Sequence, residues 1–116
     1  MKKLLVAFIV ILAAMSFSTQ LFAAENSWLV GKWELVHDPD GSEKDWLEFT
    51  ADGKAFSIAA DGKRMPGQYV IVESRIEVNY MVNGKLVPIT LKFAADKSKV
   101  FSQSPRTGSV SEYHKL

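Results

Sequence analysis

His37, Asp38 and Asp40 stand close together in the chain, and His114 lies near its other end. Imidazole nitrogens and carboxylate oxygens are the ligands of zinc and of hard cations, so this set is the first place to look for a metal. Two histidines are few for zinc, and Asp38-Pro39-Asp40-Gly41 lacks the remaining ligands of a calcium loop. The same residues read as a strand end running into an Asx-rich turn, and neither a metal nor another cofactor is expected. Nucleophilic catalysis would need a hydroxyl activated by a histidine that an acid in turn orients. Ser57, Ser102 and Ser104 supply hydroxyls, but none sits in an elbow of the form Gly-x-Ser-x-Gly. Glu48 and Glu77 fall on faces expected to be wet, where carboxylates keep a domain soluble. No catalytic residue is assigned, and the chain is expected not to be an enzyme.

Four other residues suggest binding. Tyr69 and Tyr80 fall on apolar faces, and a buried tyrosine hydroxyl needs a partner, so both are candidate ligand contacts. Trp46, flanked by Asp45 and sharing a face with Glu48 and Thr50, is expected to point away from the core, as is Phe101. Tryptophan and arginine dominate the energetics of protein–protein contacts, which makes Trp46 and Arg106 the candidate anchors for a protein partner. The surfaces that would carry such a partner are residues 25–29, 38–44 and 104–109.

The elements that must position these residues are short and extended. Asp38-Pro39-Asp40-Gly41-Ser42, Asp52-Gly53, Asp61-Gly62, Asn83-Gly84, Asp96-Lys97-Ser98 and Pro105-Arg106-Thr107-Gly108 are all turn chemistry. Between them the chain predicts strands near residues 32–37, 46–50, 54–60, 67–72, 75–82, 85–94, 100–103 and 110–115. No stretch has a helical period long enough to compete.

Ile76, Val78, Tyr80 and Val82 alternate with Arg75, Glu77, Asn79 and Met81, giving one buried and one wet face. The same period places Trp33 and Leu35, Leu47 and Phe49, Phe56 and Ile58, Tyr69 and Ile71, and Val87, Ile89, Leu91 and Phe93 inside. Pro88 should point outward near a strand irregularity, because it cannot donate to a ladder. About eight sequential strands with one apolar face bury that face by closing on themselves. The expected fold class is therefore all-β, an antiparallel up-and-down meander closed into a small barrel, with the strand of Trp33 beside that of Tyr113. An open two-sheet sandwich is the alternative.

Met1-Lys2-Lys3, the apolar run of residues 4–15 and the polar Ser16-Phe17-Ser18-Thr19-Gln20 follow the order of a secretory signal peptide. The apolar run is shorter than the roughly 20 residues a spanning helix needs, and Ala23-Ala24 offers a processing site. The expected division is residues 1–24 as signal peptide and 25–116 as one barrel domain, periplasmic or secreted. Lys2 and Lys3 leave with the leader, so 14 basic and 13 acidic residues become 12 and 13. That balance lacks the basic stripe that draws nucleic acid. With no cysteine, disulfides, thiol chemistry and lipid attachment at a new N-terminal cysteine are all excluded. Strands this short and this charged do not suit a lipid-facing barrel, so no stable membrane insertion is expected once the leader is removed.

Gly31-Lys32-Trp33, opening the first strand of such a meander, resembles the Gly-x-Trp start of lipocalins. The run Leu47-Glu48-Phe49-Thr50-Ala51-Asp52-Gly53-Lys54, with Gly67-Gln68-Tyr69-Val70 and Ile76-Glu77-Val78 after it, is similar to small bacterial lipocalin-like domains. The resemblance implies a barrel plugged at one end by Trp33 and a non-enzymatic protein holding a small apolar or amphipathic ligand at its mouth. Small exported barrels also resemble inhibitors of envelope or secreted hydrolases. The alternative expectation is accordingly a protein-binding module of that kind or an immunity-type protein.

Overall fold

Asn83 and Gly84 both adopt positive φ, 51° and 77°, the conformation of a type I′ turn. Its twist matches that of two antiparallel strands, and it joins the longest hairpin of the molecule. The computed structural model describes residues 26–116; the leader expected over residues 1–24 and the predicted contact residue Glu25 lie outside the described residues. Eight strands follow in chain order: β1 (Gly31–His37), β2 (Trp46–Phe49), β3 (Lys54–Ile58), β4 (Arg64–Val72), β5 (Arg75–Val82), β6 (Lys85–Phe93), β7 (Lys99–Gln103) and β8 (Val110–Lys115). Each pairs antiparallel with the next, and β8 returns to β1, closing the barrel. The seam places Leu35 opposite Tyr113 and Trp33 opposite Lys115, with a register shift between Leu35 and His37.

The interior follows the predicted alternation on every strand but one. Trp33, Phe49, Ile76, Val78 and Val100 are fully enclosed, and Leu35, Leu47, Tyr69, Tyr80, Leu91 and Tyr113 complete the core around them. The exception is β3. Phe49 pairs with Ala55 and Leu47 with Ser57, so Ala55 and Ser57 face the interior while Phe56 and Ile58 face outward. Phe56 stands in an outer row between Glu48 and Pro66, with the Arg64 guanidinium 4.4 Å from its ring. Ile58 is buried between its outer-face neighbours Trp46 and Arg64 and is no part of the main core cluster. The reason is packing. The inner row runs Phe49, Ala55, Gly67, Tyr80, Val87, and two large rings in that row need two small neighbours between them.

The barrel is not equally tall all round. β6 pairs with β5 from Lys85 to Lys92 but with β7 only at Leu91, Lys92 and Phe93. Residues 85–90 therefore form a free edge. Val82 and Lys85 close the two-residue hairpin, and alternation from there turns the Pro88 nitrogen away from β5 toward that edge. The register with β5 runs straight through Pro88, so the expected irregularity is a missing neighbour rather than a bulge.

Candidate functional site

The two ends of the barrel differ in what covers them. At one end the turn of residues 26–29 folds across the interior beside the β2–β3, β4–β5 and β6–β7 hairpins. Leu29 and Asn26 are buried, and the Trp33 Nε1 donates to the Leu29 carbonyl at 2.9 Å. Trp28 packs against Phe93 and edge-on to Trp33, with ring centroids 4.8 and 6.3 Å apart. Lys115 donates to the Trp28 carbonyl at 3.0 Å, and the Lys97 ammonium lies 5.5 Å from the Trp28 ring. This end is sealed, with Trp33 beneath the seal.

Tyr69 belongs to that sealed end. Its hydroxyl accepts from Asn26 Nδ2 at 2.6 Å and donates to the Thr50 carbonyl at 2.7 Å. Burial raises its pKa, and the Asn26 bond opposes that shift. Phe49 meets the ring edge-on at 5.2 Å between centroids.

The other end carries the β1–β2 loop, the β3–β4 and β5–β6 turns and the β7–β8 loop. Asp38 accepts from the amides of Asp40 and Ser42 and from the Ser111 hydroxyl, and hydrogen bonding, from the Ser42 side chain first and the Asp40 amide next, holds its carboxyl below the ordinary range. Asp40 accepts from the hydroxyls of Thr107 and Ser109, tying the β1–β2 loop to the β7–β8 loop. The carboxylates that suggested a metal are thus occupied as turn and loop acceptors. His114 contacts Glu112 at 2.6 Å, and no group of three or more His, Asp or Glu side chains converges among the described residues.

Inner-face positions at this second end are progressively uncovered. Met65 and Val82 are partly buried, and Val87, in the inner row with Tyr80, is 39% exposed. Behind them Tyr80 is only 3% exposed, yet its hydroxyl is buried with no hydrogen-bond partner among the described residues. Burial and the Asp45 charge push its pKa up to about 12. Asp45, just before β2, accepts from the Tyr113 hydroxyl at 2.7 Å, and its main-chain carbonyl accepts from Leu35 at 3.0 Å. Burial raises the Asp45 carboxyl, the Tyr113 bond opposes this, and the Asp38 charge adds to it. Tyr113 is raised in turn by burial and by its bond to Asp45. The open end thus has an apolar wall and a polar floor of Tyr80, Asp45 and Tyr113.

The four residues singled out from sequence do not form one site. Tyr80 lies under the open end and Tyr69 in the sealed one. Trp46 sits on the outer wall, half-buried, with the Lys32 ammonium 5.4 Å from its ring. Arg106 is exposed in the β7–β8 loop, and no bond or ring contact joins it to Trp46. Asp45 was missed as a site residue, having been read only as the neighbour of Trp46. Its signal was available: it stands two residues before Leu47 and four before Phe49, on the inner side of the alternation.

A separate depression marks the outer wall. Phe56, Pro66, Met81 and Leu86 line a groove of about 550 Å³ bordered by Lys54, Gln68 and Asn79. Met81 and Leu86 are cross-strand partners, 45% and 63% exposed.

Comparison with family models, with curated proteins and with solved structures finds no match to this chain.

Proposed function

We propose that this domain is an exported, non-enzymatic, lipocalin-like binding protein that holds a small apolar or amphipathic molecule at the open end of its barrel. The observation that carries the reading is the Tyr80 hydroxyl. A buried polar group without a partner costs about 1–3 kcal/mol, and here that group lies behind inner-face residues that are themselves uncovered. A ligand whose apolar part covers Met65, Val82 and Val87 and whose polar atom reaches Tyr80 would satisfy both features. The sealed opposite end supports the reading, because a carrier with one mouth needs its other end closed. The order of charged, apolar and polar residues over residues 1–20 supports export.

Native mass spectrometry of the mature protein, recovered without denaturation from its host's extracytoplasmic fraction, tests this. A co-purifying mass of small-molecule size is expected on the wild type. The Tyr80→Phe variant should carry much less of it while its Tm does not fall, since the lost hydroxyl makes no bond to the described residues. Undiminished loading of the variant would remove Tyr80 from the site. The outer groove of Phe56, Pro66, Met81 and Leu86 favours a second reading, a protein-binding module such as a hydrolase inhibitor. An added mass of protein size in the same experiment would favour it.

A further inference from the structure

Two apolar rows, one on each face of the sheet, stop at the free edge of β6. On the outer face Phe56 stands opposite Pro66 and Met81 opposite Leu86, and all four line one groove. On the inner face the row Phe49, Ala55, Gly67, Tyr80 ends at Val87. Each row ends on an exposed residue, Leu86 at 63% and Val87 at 39%, with no β7 residue paired beside it. Cross-strand contacts stabilise such rows, and here the last contact on both faces is unmade.

The main chain is open at the same place. Lys85 and Val87 direct their main-chain groups to β5, so Leu86 turns its N–H and C=O, and Pro88 its C=O, to the free side. Among the described residues no turn or loop bond reaches them, and Thr90 stands at the fork where β7 departs. Unpaired edge groups of this kind are a template for another strand.

Charge decides which strand. β6 contains Lys85 and Lys92 and no acid, and the β7–β8 loop contains Arg106 and no acid. All three cations are exposed, and none forms an ion pair among the described residues. Acids on the neighbouring elements are engaged: Glu77 by Arg75 and Thr90, Glu112 by His114 and Lys99, Asp40 by Thr107 and Ser109. A second copy of this chain is a poor occupant. Two-fold pairing of the edge would lack the Pro88 donor in both strands and gather the lysines of both copies at one interface.

We propose that the β6 edge takes an extended segment of another protein, antiparallel to β6, whose apolar residues lie beside Leu86 and Val87 and whose flanking residues are acidic. This rests on the protein-binding reading and specifies its surface and partner class. The test uses two synthetic peptides with the common centre Thr-Val-Ile-Val-Thr, one flanked at each end by two glutamates and the other by two lysines. Titration calorimetry on the mature protein gives their affinities, and amide hydrogen exchange locates them. The glutamate peptide should bind roughly tenfold or more tightly than the lysine peptide and should slow exchange of the Leu86 amide.

Leu86→Pro removes that edge donor without touching a bond to β5, and should weaken the glutamate peptide about tenfold. Lys85→Glu combined with Lys92→Glu leaves the backbone edge as it is and should invert the preference between the peptides, which decides the matter even if Leu86→Pro does not fold. Equal or tighter binding of the lysine peptide to the wild type, binding without protection of Leu86, or binding by neither peptide would each overturn the inference. The protein-binding reading fails separately, by the lack of any protein-sized mass on the wild type in the native spectrum. Such a mass persisting on Leu86→Pro would keep that reading and move its interface away from β6.

Discussion

Two tyrosines with the same sequence signature have opposite roles because of what each hydroxyl meets. Tyr69 and Tyr80 were both legible as aromatic residues on apolar faces, since alternation alone places them there. The partners were not legible. Asn26 lies 43 residues before Tyr69, and Asp45 reaches Tyr113 across 68; local pattern carries no information at that separation. The difference predicts opposite stability effects for one substitution. Tyr69→Phe removes the acceptor of the Asn26 amide and the donor to the Thr50 carbonyl, leaving both groups short of a bond at a buried site. It should cost about 1–3 kcal/mol, seen as a lower urea midpoint with an unchanged slope. Tyr80→Phe should leave the midpoint unchanged or raise it. Equal losses in the two variants would mean that the Tyr69 bonds contribute nothing beyond the ring's own packing.

Strand boundaries were readable because turn chemistry is local. Asn-Gly, Asp-Gly and Asx clusters fix where extended runs stop, and the eight strands begin and end within a few residues of where that punctuation puts them. On β3 the period of two holds but the faces are exchanged: the larger side chains, Phe56 and Ile58, share the outer side and not the inner one that alternation of apolar residues points to. The Asp52-Gly53 turn instead sets the register, pairing Phe49 with Ala55. The interior then uses small residues where β3 and β4 pass the rings of Phe49 and Tyr80. Gly67 is the tightest of these points. A Cβ there would stand 2.7 Å from the Asn79 carbonyl oxygen and 2.9 Å from the Tyr80 ring. The oxygen is backbone in a paired strand and cannot step aside without parting β4 from β5. Gly67→Ala should thus destabilise the domain by about 1–3 kcal/mol through overpacking, although alanine is the better residue for entropy. Chemical denaturation measures this directly, and an unchanged or higher midpoint would mean that the strand has room to bend.

Closure of the meander was legible at the scale of the whole molecule, since eight one-sided strands have to bury that side somewhere. The inequality of the two ends was not, because it arises from how far β6 outruns β7 and from a turn that folds back over Trp33. Closure also gathers all three tyrosines of the chain into the interior, and this gives the fold a defined alkaline limit. Burial raises the pKa of each, that of Tyr80 to about 12 from an ordinary value of 10.0. Above the ordinary value the unfolded chain releases tyrosine protons that the folded barrel retains, so stability is full below pH 10 and falls as pH rises toward 12. For Tyr80 alone the loss across that window is about 2–3 kcal/mol, a large part of the stability of a domain this small. Tyr69 and Tyr113 add to it in the same direction. Since the chain has no other tyrosine, phenolate absorbance reports these three groups and nothing else. It should stay low past pH 10 and then rise in one cooperative step that coincides with loss of the β-sheet circular dichroism signal. A phenolate signal growing near pH 10 while the sheet signal persists would mean that a hydroxyl reaches water in the folded barrel. Repeating the titration on Tyr80→Phe would then show whether the open end is where water enters.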